Sequence, residues 1–199
     1  QLGVVQPQLM GAQQQFGKVH QAAPVTNLFI GLIDALVGDL KQVFASRHLV
    51  GTLALILIAV KISPDIDENQ INLISEILLE NEIKMIIISN TSESSRNDLK
   101  NIQKHQKGGL SGKPIEIKSN ILINKFYKLL NGKIKIIGVG GVDSGQAAYD
   151  KFLAGADFIQ LYTGMVFKGP NIAGIIKKDL KDLLLRDGVK NYTEIVGNK

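Results

Sequence analysis

The sequence predicts an α/β protein of the (β/α)8-barrel type in which only the C-terminal half of the barrel is present. Three observations predict it. Continuous apolar strands alternate with amphipathic helices from residue 53 onward, the pattern of a parallel sheet covered by helices. The alternation runs through four strand–helix units, whereas a closed barrel needs eight and about 250 residues. Residues 134 to 169 read as strand, glycine turn, helix, strand and polar turn. That is the layout of a phosphate grip formed by the loops after the last two strands of such a barrel.

Composition changes near residue 55. The first 21 residues hold seven glutamines, and residues 1 to 25 are expected to be weakly structured. Residues 28 to 46 space Leu32, Ala35, Leu36, Leu40, Val43 and Phe44 at helical intervals, which predicts an amphipathic helix weakened by Gly31 and Gly38. Leu53 to Ile62 is the first strand, closed by Ser63-Pro64-Asp65. Asp65 or Asp67 caps a helix over 67 to 81, with Ile71, Ile74, Ile77 and Leu78 on its inner face. Residues 84 to 90 form the second strand, a polar loop runs from 91 to 114, and a helix covers 116 to 131. The third strand is 134 to 139, its helix 144 to 154, the fourth strand 158 to 163 and the last helix 171 to 187. The division expected is therefore a diverged segment, 1 to 55, and a half-barrel, 56 to 199. A lone half leaves two strand edges and an apolar lining open, and calls for a partner such as a second copy, a missing half, or a different closure.

The chain of 199 residues carries a net charge of +5, with lysines such as Lys177, Lys178 and Lys181 at solvent-facing helix positions. No basic run is interleaved with aromatics, so no nucleic-acid partner is expected. There is no cysteine, which excludes disulfides, thiolate metal sites and a thiol nucleophile. The longest apolar stretch, Leu49 to Ile62, is broken by Gly51, Thr52 and Lys61 and is too short to span a bilayer. No signal peptide is evident, and Gln1 in first place suits a processed chain or a fragment.

Parallel barrels carry their chemistry at the C-terminal ends of the strands. The first strand carries Lys61 one residue before its end, where it either snorkels to the strand end or meets an anionic ligand. The second ends Ser89-Asn90-Thr91, a loop cap or a donor–acceptor set for a heterocycle. Gly108-Gly109-Leu110-Ser111-Gly112 is a turn able to close over a ligand. Gly140-Gly141, followed by Asp143 or Ser144 as helix cap, offers N–H groups to a phosphate, and Tyr162-Thr163 adds donors beside it. His20, His48 and His105 have no metal-ligand spacing, so no metal site is expected.

In this order these motifs resemble the quinone-linked, class 2 dihydroorotate dehydrogenases. The matching text is AVKISPD at 59 to 65, IIISNT at 86 to 91, GGLSGKPI at 108 to 115, and IIGVGGVDSGQAAYDKFLAGADFIQLYTGMVFKGP at 136 to 170. The resemblance implies FMN at the mouth of a barrel, oxidation of dihydroorotate to orotate in pyrimidine biosynthesis, and electron transfer to a membrane quinone. It implies Lys61 at the flavin N1 and O2, Ser89 also on FMN, Asn90 and Thr91 on the orotate ring, and Gly112, Gly141, Tyr162 and Thr163 on the FMN phosphate and ribityl chain. Peripheral membrane association follows from the resemblance, with a soluble cytoplasmic state the alternative for this chain.

The departures matter equally. The family's base is a serine in a motif like N-x-S-S-P-N-T. The nearest text is His20-Gln21-Ala22-Ala23-Pro24-Val25-Thr26, which puts Ala23 at the base position, and alanine cannot accept a proton. An impaired oxidoreductase is thus set against a non-catalytic FMN-binding relic or assembly partner. A third reading is a sugar-phosphate isomerase or aldolase with Lys61 as a Schiff-base lysine.

Overall fold

The computed structural model describes residues 58 to 198 except Ser95 and Asp98, all within the compact unit Leu49–Lys199. The expected weak structure of 1 to 25, the helix over 28 to 46, the start of the first strand, His20, His48 and the Ala23 position lie outside the described residues.

Four parallel strands form one sheet in chain order: β1 (Ala59–Ile62), β2 (Met85–Ile88), β3 (Lys135–Val139) and β4 (Phe158–Gln160). Helices α1 (Glu68–Glu80), α2 (Glu116–Leu130) and α3 (Gly145–Ala154) connect them, and a short α4 (Thr163–Lys168) and a long α5 (Ile172–Arg186) follow. Each connection is the crossover that parallel pairing requires, and the four units make a partial (β/α)8 barrel.

The register sorts the two faces of the sheet. Ile62, Ile88 and Gly138 stand in one row, all buried, and face the helices. Lys61, Ile87, Ile137 and Phe158 stand in the neighbouring row and point to the other face. There exposure runs from half-buried at Ile87 and Ile137 to exposed at Lys61 and Phe158. The core therefore lies between sheet and helices, where Leu78, Ile86, Ile123 and Phe126 are fully buried. α1 packs on α2, α2 on α3 and α3 on α5.

Local chemistry sets the boundaries. Of the two aspartates able to cap α1, Asp67 does so. It accepts from the Gln70 N–H at 2.9 Å while Gln70 Oε1 accepts from the Asp67 N–H at 2.9 Å, a reciprocal capping box. Ser144 caps α3, accepting from the Ala147 N–H at 3.2 Å, and Gly155 ends it at φ 115°, a left-handed conformation glycine adopts without strain. The α5 face packs on α3 through Val142, Ala148, Ile172 and Ile176. A second cluster, Tyr149, Phe152 and Ile195, is closed by the Phe152 and Tyr192 rings, 4.7 Å apart.

One expectation needs correction. The fourth strand ends at Gln160 rather than at residue 163, and Thr163 opens α4 where a polar turn was expected. The cause is a close approach: a Cβ on Gly164 would lie 2.4 Å from the Val142 carbonyl oxygen. The glycine lets the chain fold across the turn after β3 instead of extending.

Candidate functional site

The C-terminal ends of all four strands open on one cavity of about 150 Å³. Its walls include Lys61, Ser89, Asn90, Thr91, Gly112, Gly141, Tyr162 and Thr163, which are all eight site residues selected from the sequence. Ser111, Ile115, Val139, Gly140, Val142, Leu161 and Gly164 complete the lining. A larger cavity of about 320 Å³ lies at the opposite end, beside the Lys135–Asp157 ion pair and Tyr192. Barrels use the C-terminal face for chemistry, so the smaller cavity is the candidate site.

Lys61 is exposed on the cavity wall and makes no ion pair among the described residues. At the end of β2, the Asn90 N–H donates to the Ile62 carbonyl at 2.8 Å and its side-chain Oδ1 accepts from the Thr91 N–H at 2.9 Å. This leaves the Asn90 carboxamide NH₂ to the cavity as a donor. Ser89 is buried, its N–H given to the Val139 carbonyl at 3.2 Å and its hydroxyl to the Asn90 carbonyl at 3.2 Å.

The loop after β2 returns over the site. Ser92 and Leu110 exchange backbone hydrogen bonds of 2.9 and 2.6 Å. Gly109 passes so close to Thr91 that a Cβ would stand 2.0 Å from its Oγ1. Ser111 Oγ accepts from Thr163 Oγ1 at 3.0 Å, and Gly112, at φ 76°, leaves no room for a Cβ beside Thr163. The loops after β2 and β4 are thereby fastened to each other.

Asp65 anchors the same loop. Its carboxylate accepts from Ser92 Oγ at 2.7 Å, from the Glu93 N–H at 2.6 Å and from Lys118. Burial favours the neutral acid, but the hydrogen bonds from Lys118, Ser92 and Glu93 outweigh it and lower the pKa to about 2.

The turn after β3 is built differently. Gly140 and Gly141 are buried with φ of 109° and 75°. A Cβ on Gly141 would stand 2.3 Å from the Glu116 Cβ, so this glycine is required by packing on the first turn of α2. Packing thus joins the ligand approach expected at this glycine. Neither amide is given a protein acceptor among the described residues. Lys113 and Lys168 sit nearby but are engaged, Lys113 with Glu116 and Lys168 with the Asp143 carbonyl at 2.8 Å. The pairing with Glu116 raises the Lys113 pKa.

Sequence reasoning missed Lys151, which is completely buried behind this turn. The signal was available: at helical spacing Lys151 falls on the stripe of Ala147, Ala148 and Ala154.

Sequence and structure comparisons place the chain among known proteins. The dihydroorotate dehydrogenase family model matches residues 20–184. The dihydroorotate dehydrogenase (quinone) of Deinococcus radiodurans is 39% identical over 158 residues, covering 79% of this chain and 42% of that protein. The mitochondrial dihydroorotate dehydrogenase (quinone) of Mus musculus is 40% identical over 140 residues, 70% of this chain and 35% of that protein. A crystal structure of the Eimeria tenella dihydroorotate dehydrogenase in complex with ferulenol superposes with a TM-score of 0.69 at 34% identity, covering 71% of this chain and 38% of that one. The chain spans about two fifths of the length of the curated relatives it matches. With the motifs gathered at the strand ends and the match running through most of the chain, this protein belongs to the dihydroorotate dehydrogenase family, on its quinone-linked branch.

Proposed function

We propose that the described residues form the flavin-binding half of a barrel that oxidises dihydroorotate to orotate, with FMN as cofactor and a quinone as final acceptor. The observation that carries this reading is the convergence of Lys61, Ser89, Asn90, Thr91, Gly112, Gly141, Tyr162 and Thr163 on one cavity. The donor set suits the cofactor. Gly140 and Gly141 offer amides without acceptors among the described residues, and a short helix follows the last described strand, the usual place for phosphate in such barrels. The cations beside the turn are spent on carboxylate or carbonyl groups, so the phosphate is held by backbone N–H groups.

FMN bound there would supply the two-electron redox chemistry that links dihydroorotate to the quinone. Lys61, without an ion pair among the described residues, would offer its ammonium to the flavin N1 and O2, where negative charge would grow on reduction. Ser89 contacts the flavin edge, while Asn90 and Thr91 hold the dihydroorotate ring through amide and hydroxyl groups. The base position, read from sequence as Ala23, supplies no proton acceptor, so turnover by this chain is impaired. No helix of the described residues is long and apolar enough to cross a membrane, and a peripheral attachment brings the site to a membrane quinone.

The test is dihydroorotate-dependent reduction of a quinone-analogue dye by the purified chain supplied with FMN. The expected result is FMN binding with weak dye reduction that rises in Ala23→Ser. Binding of a sugar phosphate without any flavin binding contradicts the reading.

A further inference from the structure

Lys151 is 0% exposed, yet no carboxylate among the described residues hydrogen-bonds it. Its ammonium donates to Ser119 Oγ at 3.1 Å and to Asn120 Oδ1 at 2.8 Å. Burying a cation on neutral partners is costly. Burial lowers its pKa to about 8, against the attraction of Glu116 and Asp150 and with a small push from Lys113. A side chain retained at such a cost in an otherwise apolar stripe points to a use.

The partner shows where that use lies. Ser119 is also 0% exposed, and its hydroxyl faces the Val139 carbonyl and, at 3.5 Å, the Ile88 carbonyl. An ammonium only donates, so Ser119 Oγ accepts from Lys151 and must give its own proton to a carbonyl. Val139, the nearer acceptor, also receives the Ser89 N–H at 3.2 Å and immediately precedes Gly140-Gly141. Ser119 Cβ would stand 3.3 Å from a Cβ on Gly140, and Lys151 Cδ 3.2 Å from one on Gly138. The pair thus lies against the back of the Gly138–Gly140 backbone. Neither residue is part of the cavity wall, so neither touches a ligand there.

We propose that Lys151 and Ser119 are a positioning pair that fixes the Val139 carbonyl and so aims the Gly140 and Gly141 amides at the cofactor phosphate. Lys151 locks the direction of the Ser119 hydroxyl, and the hydroxyl holds the end of β3. The inference rests on the flavin reading of the cavity, and its effect is confined to the phosphate end.

Lys151→Met and Ser119→Ala in the full chain test it, the second keeping the test open if the first does not fold. Two readouts are taken: affinity for FMN against riboflavin, which lacks the phosphate, and hydrogen exchange at the Ser89 amide, which shares the Val139 carbonyl. In both variants FMN affinity is expected to fall about tenfold with riboflavin affinity unchanged. The Ser89 amide should exchange about tenfold faster while the amides of α1 keep their wild-type rates. Equal loss of both flavins, or unchanged FMN affinity with unchanged Ser89 exchange, overturns the proposal. A wild-type chain that binds no flavin sinks the cofactor reading. Ser89 exchange then decides the pair alone, acceleration supporting it and an unchanged rate refuting it.

Discussion

The turn after β3 and the loop after β2 both supply walls to the same cavity, yet they are held by different physics. The turn is two buried glycines pressed onto the start of α2 and backed by Lys151 and Ser119. The loop is long and polar, carries Ile102 at 92% exposure, and is tied down by polar contacts. Asp65 holds one end. The Arg96 guanidinium gathers the carbonyls of Gln106, at 2.6 Å, and Gly108 near the other. Packing fixes the Gly140-Gly141 turn before any ligand arrives, whereas the loop after β2 hangs on hydrogen bonds that exchange with water at small cost. Under the proposed function the turn would hold a resident cofactor and the loop a substrate that comes and goes, which suits that division.

Glycine substitutions break the contrast most directly. Gly141→Val meets a left-handed backbone and the Glu116 Cα at 2.9 Å. The expected loss is about 4 kcal/mol in denaturant unfolding, with FMN binding abolished. Gly108→Ala in the loop, with nothing within 4 Å, is expected to cost about 1 kcal/mol and to leave FMN affinity intact. Equal costs at the two positions would erase the distinction.

Each region also carries its own titration. The Lys151 pKa lies at about 8 in the folded chain, and an unfolded lysine titrates near 10.4. Between those values the unfolded chain binds more protons than the folded one, so stability rises with pH. Compared with Lys151→Met, the wild-type chain should gain on the order of 3 kcal/mol from pH 8 to 10.4. A flat difference in the two pH–stability curves refutes the buried, charged lysine.

Lys61 tests the cavity's cationic wall. Lys61→Ala is expected to weaken FMN binding about 100-fold, as loss of a hydrogen bond to a charged group does, with unfolding free energy unchanged. Unchanged affinity in a flavin titration removes Lys61 from the site.

The smallest effect belongs to the loop. With its pKa lowered to about 2, Asp65 contributes stability that is complete above the unfolded value near 3.9. That contribution is lost as pH falls toward 2. Solvent screening leaves about 1 kcal/mol for this partly exposed cluster. Asp65→Asn should lose it at neutral pH and speed amide exchange at Glu93, with Gly141 unaffected.

Much of this architecture is legible in the sequence because apolar runs and helical stripes report burial directly. The helix expected over 67 to 81 is Glu68–Glu80, and that over 116 to 131 is Glu116–Leu130. The eight site residues meet in one cavity because strand ends in a parallel sheet converge whatever their separation along the chain. What the sequence hid depends on contacts between distant segments. The early end of β4 is imposed by Gly164 packing on Val142. The reason for Gly141 lies in Glu116, 25 residues away along the chain. The charge of Lys151 suggests a solvent-facing position, although its helical position among alanines places it inward.

Titration of the purified chain with FMN, followed by flavin absorbance with riboflavin as control, tests the central claim most directly. Saturation is expected near one FMN per chain, with riboflavin binding more weakly for want of the phosphate. A chain that leaves the spectrum of added FMN unchanged, or that binds both flavins equally, would contradict a phosphate grip preformed at Gly140 and Gly141.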